Sequence, residues 1–161
     1  MKALVVYYSM GGNTEYAARR VARQLDADLL RLEPEKEYPS SGFRKFFWGG
    51  KSAVMAETPK LKPYRLDADR YDTIIFGFPV WAGNITPPIR TFLRDNRLNA
   101  GRYAAYACQS GSGAEKAFGK LKDCLGHPLS ETLILIDPKD KPDPAKDRQI
   151  DAFCQALKDD K

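Results

Sequence analysis

The sequence has little cysteine and almost no histidine. Its three cysteines, Cys108, Cys124 and Cys154, are widely spaced and form no C-x-x-C pattern, which is typical of a reducing compartment rather than of a disulfide framework. His127 is the single histidine, and no paired ligands stand near it in the sequence. A zinc site is therefore not expected.

Long apolar runs are also missing. The longest comprises residues 3–8, far below the roughly 20 residues that a membrane-spanning helix needs. It begins almost at Met1, which leaves no room for a cleavable signal sequence of roughly 15–30 residues. We therefore expect a cytoplasmic protein that does not contact a membrane.

A dense block of positive charge, typical of a nucleic-acid-binding face, is absent as well. The net charge is +5, but lysine and arginine are scattered, and the lysine-rich stretch 139–161 also carries many acidic residues. This pattern favours a generally solvated basic surface and no nucleic-acid partner. The alternative is that the charge favours an anionic substrate or an acidic protein partner.

What the sequence does contain is enough apolar residues, 43% of 161, for one well-buried core. Strands are predicted at 3–8, 28–33, 73–77, 102–108 and 132–136. Helical patterns follow at 17–25, 87–95, 113–124 and 143–157. Strands that alternate with helices predict an α/β fold, with a doubly wound five-stranded parallel sheet and helices on both faces. We expect a single domain over residues 1–161.

The segment 34–66 interrupts this alternation. It shows no clear strand, and it contains six aromatic residues and four prolines. One interpretation is a covering helix within 43–55 whose aromatic side chains pack on the sheet. The other is a lid over a bound ligand, since long loops without secondary structure are usually functional.

The segments that follow the first, third and fourth strands are candidate ligand-binding loops, because ligands of doubly wound sheets bind beyond the carboxyl ends of the strands. The first strand is followed by SMGGNT at 9–14 and then a helix. Unpaired N–H groups, the positive end of the helix dipole and small polar side chains predict a phosphate cradle. Without a lysine it is not a Walker A loop. The alternative interpretation is simple helix capping by Asn13 or Thr14.

The third and fourth strands are followed by equally unusual loops. Residues 77–84, GFPVWAGN, place a tryptophan in a loop rich in proline and glycine. An exposed Trp81 would offer a flat face to a planar ring. The loop 109–113, QSGSG, is small and polar, so its backbone can approach a ligand closely.

Together these loops resemble the three loops that bind flavin mononucleotide (FMN) in the flavodoxin family. The resemblance rests on YSMGGNT at 8–14, on residues 77–83 and on the glycine–serine loop at 110–113, and it spans residues 2 to about 137. It implies a flavodoxin-like fold with strand order 2-1-3-4-5, and FMN as the cofactor.

The resemblance also implies a role for each loop. The phosphate would be bound by Ser9, Gly11, Gly12, Asn13 and Thr14, with the backbone of Met10. The flavin ring would be lined by Pro79, Val80 and Trp81, with Trp81 stacking on it and the peptide groups of Ala82, Gly83 and Asn84 near its reactive edge. The pyrimidine side of the ring would be contacted by Gln109, Ser110, Gly111 and Gly113. No catalytic acid or base is expected, because the flavin carries the chemistry.

The sequence departs from the carriers of this family in three ways. Its charge is basic where theirs is typically acidic, its third loop lacks the tyrosine that many of them stack on the ring, and its segment 34–66 is longer. These departures favour a reductase that uses NAD(P)H to reduce quinones or other small acceptors. The alternative is an electron carrier that acts with a redox partner protein. In either case the chain could form a homodimer.

Two other classes of protein share this architecture, and the sequence lacks the residues that each of them needs. A receiver-type signalling domain needs acidic residues directly after the first strand, where this chain has SMG at 9–11. A phosphatase needs a nucleophilic cysteine in the first loop, and no cysteine precedes Cys108. Cys108 is expected at the buried end of the fourth strand, with a redox role as the alternative.

Overall fold

The computed structural model describes residues 1–38 and 57–160. Its strands are β1 (Ala3–Tyr7), β2 (Asp28–Arg31), β3 (Thr73–Pro79), β4 (Arg102–Gln109) and β5 (Glu131–Ile136). Its helices are α1 (Asn13–Leu25), α2 (Pro87–Asp95), α3 (Ala114–Leu125) and α4 (Pro144–Asp159), with a short 3-10 turn at Ala68–Arg70. The five predicted strands and the four helical patterns that follow strands are present, with ends that differ by a few residues. Within the described ranges, no helix is long and apolar enough to cross a membrane.

The strands form one parallel sheet in the order β2-β1-β3-β4-β5, which confirms the predicted topology. Successive residues of β1 point to opposite faces. Val5 and Tyr7 belong to the core under α1 and α4, whereas Leu4 and Val6 belong to the core under α2 and α3. Because both faces are covered, β1 is buried at every residue, as its continuous apolar run predicts.

The two ends of the 34–66 segment lie side by side. Pro34 and Leu61 form an antiparallel bridge. The N–H of Lys62 donates to the carbonyl of Glu33 at 2.7 Å, and the lysine ammonium lies 3.2 Å from the glutamate side chain. The helix predicted within 43–55 lies outside the described residues, so the choice between a covering helix and a lid stays a prediction.

A buried tyrosine connects β4 to the start of α1. The Tyr106 side chain is fully buried, and its hydroxyl donates to the carbonyl of Thr14 at 3.0 Å. Its ring passes over Gly77 of β3, where a Cβ would lie only 2.2 Å from ring atoms. Glycine is therefore needed at position 77 to make room for the ring.

We expect Gly77→Ala to destabilise the protein by about 1–3 kcal/mol, because the added methyl overpacks a site that the buried Tyr106 ring already fills. Gly119→Ala is the matched control, since a Cβ at this helical position meets no atom within 4 Å. It should stabilise by about 0.5–1 kcal/mol. Urea unfolding of the three proteins measures both effects. Equal stability of the wild type and Gly77→Ala would contradict the packing described here.

Candidate functional site

The three predicted loops meet at one cavity of about 860 Å³ beyond the carboxyl ends of the strands. It is lined by Met10, Gly11, Asn13, Thr14, Pro79, Val80, Trp81, Ala82, Gly83, Cys108, Gln109, Ser110, Gly111, Ser112, Gly113 and Asp137. The fold thus brings together, at one edge of the sheet, residues that follow β1, β3, β4 and β5 and lie far apart in the sequence. All predicted site residues are among them except Ser9, Gly12 and Asn84.

The three exceptions shape the loops instead of lining the cavity. The Ser9 hydroxyl accepts a hydrogen bond from the N–H of Glu15 at 3.2 Å. Gly12 is the N-cap of α1, with a φ of 95° that favours glycine. The Asn84 side-chain oxygen accepts from the N–H of Ile85 at 2.9 Å and so supports the second loop. The side chains of Ser9 and Asn84 are thus engaged within the protein, and Gly12 shapes the start of α1.

The first loop presents free backbone donors. In the described part of the chain, no acceptor lies against the N–H groups of residues 11–14, where α1 begins. Because the cap is Gly12, the alternative of capping by the side chain of Asn13 or Thr14 is wrong. These donors and the positive end of the helix dipole are suited to an anion.

The second loop contains a tight turn from Trp81 to Asn84. The two residues exchange backbone hydrogen bonds of 3.3 and 3.0 Å. Between them, Ala82 has a φ of 52° and Gly83 a φ of 69°, so both central residues are left-handed, as in a type I′ turn. For Ala82 this conformation stores strain, of about 1–2 kcal/mol, at the edge of the cavity.

The expectation that Trp81 is exposed is wrong. Its side chain is only 2% exposed, because its ring meets those of Tyr8 and Tyr38 edge to face, with centroids 5.7 and 5.4 Å away. Such pairs add to the free energy of burial. Burial raises the pKa of Tyr8 and raises that of Tyr38 to about 12, so both phenols stay neutral at physiological pH. Trp81 still lines the cavity, as part of an aromatic cluster.

The third loop is short of bulky side chains and is held by its own hydrogen bonds. The Gln109 side-chain oxygen accepts from the N–H of Ala114 at 3.0 Å and thereby caps α3. Gly113 has a φ of 109°, and a Cβ there would lie 2.9 Å from the Cα of Gly83. The second and third loops therefore touch through two glycines, and the backbone of Gly83 leaves no room for a side chain at position 113.

Sequence reasoning missed Cys108, Ser112 and Asp137 as lining residues. Asp137 directly follows β5, is 9% exposed and has a φ of 42°. Its carboxylate accepts from the Ser110 hydroxyl at 2.8 Å and lies 3.4 Å from the ammonium of Lys141. The signal that could have identified it is its position, since it is a polar residue directly after the end of β5.

Cys108 lies at the buried end of β4, as expected, with 4% exposure. Burial, with a smaller contribution from the charge of Asp137, raises the pKa of its thiol to about 12. At neutral pH the side chain is therefore a thiol and not a thiolate. Because the thiolate is the nucleophile, burial disfavours a redox role for Cys108, which stays a prediction to be tested.

The chain matches a family model described as flavodoxin over residues 2–135. It therefore belongs to the flavodoxin family, whose cofactor is FMN. This confirms the family that the sequence resembles, while the role of each loop stays a prediction.

Solved structures share the fold. A putative flavoprotein from Bacteroides eggerthii DSM 20697 is 22% identical, with a TM-score of 0.77 and 98% of each chain covered. A putative flavoprotein from Bacteroides uniformis ATCC 8492 is 26% identical, with a TM-score of 0.74 over 84% of this chain and 90% of that one. A flavoprotein from Lactobacillus acidophilus NCFM, solved in complex with FMN, is 19% identical, with a TM-score of 0.72 over 94% and 97%.

We expect one of the three thiols to react quickly with a thiol reagent in the native protein at pH 8, and all three after unfolding. Cys124 is exposed, whereas Cys108 and Cys154 are buried, and burial raises the pKa of Cys154 to about 11. Cys124→Ser should abolish the fast reaction. Loss of the fast reaction in Cys108→Ser instead would show that Cys108 is a reactive thiolate.

Proposed function

We propose that this chain binds FMN in the cavity and uses it as a reductase of quinones or other small acceptors, with NAD(P)H as the electron donor. The observation that carries the proposal is the meeting of a donor-rich first loop, an aromatic second loop and an open third loop around one cavity of about 860 Å³. The proposal has two parts: the chain binds FMN in the cavity, and the bound FMN passes electrons from NAD(P)H to a small acceptor. Each part has its own support.

The first loop suits the phosphate of FMN. Its free N–H groups at residues 11–14 begin a helix of 13 residues, so the phosphate would meet both hydrogen-bond donors and the helix dipole. A Cβ built at Gly11 would meet no protein atom within 4 Å, and the same holds for Gly111 in the third loop. Both positions line the cavity and leave space that a ligand can fill.

The second loop suits the flavin ring. Pro79, Val80 and Trp81 give the cavity an apolar wall, and the N–H groups of the Ala82–Gly83 turn have no acceptor in the described part of the chain. When bound, FMN supplies the redox chemistry, since it accepts and releases electrons itself. The contribution of these residues would be to orient the ring, exclude water from one side and offer backbone donors to its edge.

The third loop and the rim favour a reductase over a carrier. No side chain larger than Gln109 stands in 109–113, so this loop itself offers none to cover the ring, and among the described residues it leaves room for a small acceptor. Two basic residues beside the second loop form what we call its rim: the stem of Lys116 lies over Gly83, and Arg90 donates to Asn84 at 3.3 Å. Neither of them lines the cavity itself. Such a rim would attract the phosphates of NAD(P)H.

The same rim supports the second candidate, an electron carrier. An acidic redox partner protein would be attracted by the same basic side chains, and an open third loop would let the two cofactors approach. Location in the cytoplasm, a homodimer and the absence of nucleic-acid and membrane partners stay predictions.

We expect the purified protein to bind FMN in a one-to-one ratio and to be yellow. Trp48→Phe leaves Trp81 as the remaining tryptophan of the two in the sequence. FMN should then quench most of the Trp81 fluorescence, because the side chain lines the cavity. Free tryptophan mixed with the same FMN concentration is the control. A protein that binds no added FMN would refute the proposed function.

Steady-state oxidation of NADH and NADPH with a quinone separates the two candidates. We expect FMN-dependent turnover without any partner protein, and we expect Lys116→Glu to raise the KM for the nicotinamide donor several-fold with little change in the affinity for FMN. Lys120→Glu, an exposed position on the same helix α3, is the charge-matched control. Reduction of the bound FMN without turnover would favour the carrier.

A further inference from the structure

The segment that follows β5 returns to the first loop and is held there by Asn13. The Asn13 side-chain oxygen accepts from the backbone N–H groups of Lys139 at 2.8 Å and Asp140 at 3.1 Å. Its amide nitrogen donates to the Asp140 carboxylate at 2.9 Å. Because Asn13 is the first residue of α1, these three bonds attach the segment to the start of that helix.

This attachment places the Lys139 side chain on the first loop. Its ammonium donates to the carbonyl of Gly11 at 3.2 Å. Its stem crosses Gly12, where a Cβ would lie 3.0 Å from Cδ and 2.8 Å from Nζ of the lysine. The first loop, which has no lysine in its own sequence, thus receives one from a residue far away along the chain.

The Lys139 charge has no direct partner of opposite sign. In the described part of the chain, its ammonium has one hydrogen-bond acceptor, the neutral carbonyl of Gly11, and no carboxylate lies within salt-bridge distance of it. Lys141 differs, because it pairs with Asp137 at 3.4 Å. The nearby carboxylate of Asp140 accepts from Asn13 instead.

Arg31 provides a second contrast on the other side of the loop. It also donates to a loop carbonyl, that of Ser9 at 3.4 Å, but its guanidinium is paired with Glu15 at 3.0 Å. Its charge is therefore largely matched within the protein. Lys139 is the cation at this loop that has no such match.

An unmatched ammonium beside the N-terminus of α1 is electrostatically unfavourable, since that end of the helix is itself positive. An anion at the loop reverses the sign of this interaction, because it attracts both the helix end and the ammonium. The position of Lys139 is therefore the one expected if the loop holds an anion.

We infer that Lys139 supplies the positive charge that binds the phosphate of FMN, and that Asn13 acts as a positioning residue by holding Lys139 at the loop. This inference rests on the proposed FMN binding. It makes the segment after β5 a fourth part of the binding site, and it makes the site discriminate between FMN and riboflavin, which lacks the phosphate. The segment lies outside the three loops that the sequence indicated.

The test compares the Kd values of FMN and riboflavin for the wild type and for Lys139→Met, Lys139→Arg and Asn13→Ala. Lys139→Met should weaken FMN binding about three- to tenfold, the range of a charge-assisted hydrogen bond at an exposed site, and leave riboflavin binding unchanged. Lys139→Arg should restore FMN affinity to within about twofold. Lys120→Met, which removes an equal charge on α3, should change neither Kd value.

Asn13→Ala should weaken the binding of FMN and leave the binding of riboflavin unchanged. The double variant Asn13→Ala/Lys139→Met should bind FMN no more weakly than the single variant with the higher Kd, because both changes remove the same ammonium from the loop. The FMN affinity of Lys139→Met should also depend less steeply on salt. Circular dichroism and thermal unfolding check that each variant is folded.

Three results would overturn the inference. They are an unchanged FMN Kd in Lys139→Met, an equal weakening of FMN and riboflavin binding, and additive effects in the double variant. A wild type that binds neither flavin refutes the proposed function and this inference with it. A wild type that binds both flavins equally refutes the inference alone.

Discussion

The hydrogen bond from the Tyr106 hydroxyl to the Thr14 carbonyl is the constraint on which the site depends. It joins β4 to the first turn of α1 through the space that Gly77 leaves in β3. Those elements carry the first and third loops, so one buried contact sets their relative position. A hydroxyl and a carbonyl removed from water strongly favour being paired, which makes the contact specific as well as stabilising. The cavity has its shape because the framework below it can adopt few alternatives.

The basic side chains near the cavity are positioned by individual neighbouring residues and not by the buried framework. The protein is basic, but the positive charges around the cavity are placed singly, each by a neighbour: Lys139 by Asn13, Lys141 by Asp137 and Arg31 by Glu15. The net charge of the sequence therefore describes the surface in general and does not describe the site. At the cavity, the pairing of each cation decides whether its charge is available to a ligand.

The fold and most of the cavity lining were predictable from the sequence, for identifiable reasons. The continuous apolar run of β1 can only be buried on both faces, and alternating strands and helices restrict the topology to a few possibilities. Since parallel strands end at one edge of the sheet, the loops after β1, β3 and β4 had to lie together. These inferences use local pattern and general geometry, whereas the strand order and the residues assigned to each loop came from the resemblance to the flavodoxin family.

What sequence reasoning missed depends on contacts between distant residues. Trp81 sits in a loop rich in proline and glycine, which predicts exposure, but Tyr8 and Tyr38 bury it. Asn13 looked like a ligand donor or a helix cap, and its amide is instead occupied by a segment more than a hundred residues later. Asp137 had the right position at a strand end, but nothing in its neighbours marks it. Contacts between side chains far apart in the sequence leave no periodic pattern in it, so they could not be predicted from the sequence alone.

The bridge between Pro34 and Leu61 has a consequence for how this chain can change over evolution. Because the two ends of the intervening segment are joined beside the sheet, a change in its length need not displace the elements before and after it. The entropic cost of closing a flexible loop grows slowly, by about 0.6 kcal/mol for each doubling of its length. The chain between Tyr38, whose ring packs against Trp81, and Leu61 can therefore change in length at a small cost in free energy. Such a change requires no rebuilding of the sheet and leaves the Tyr38–Trp81 contact in place.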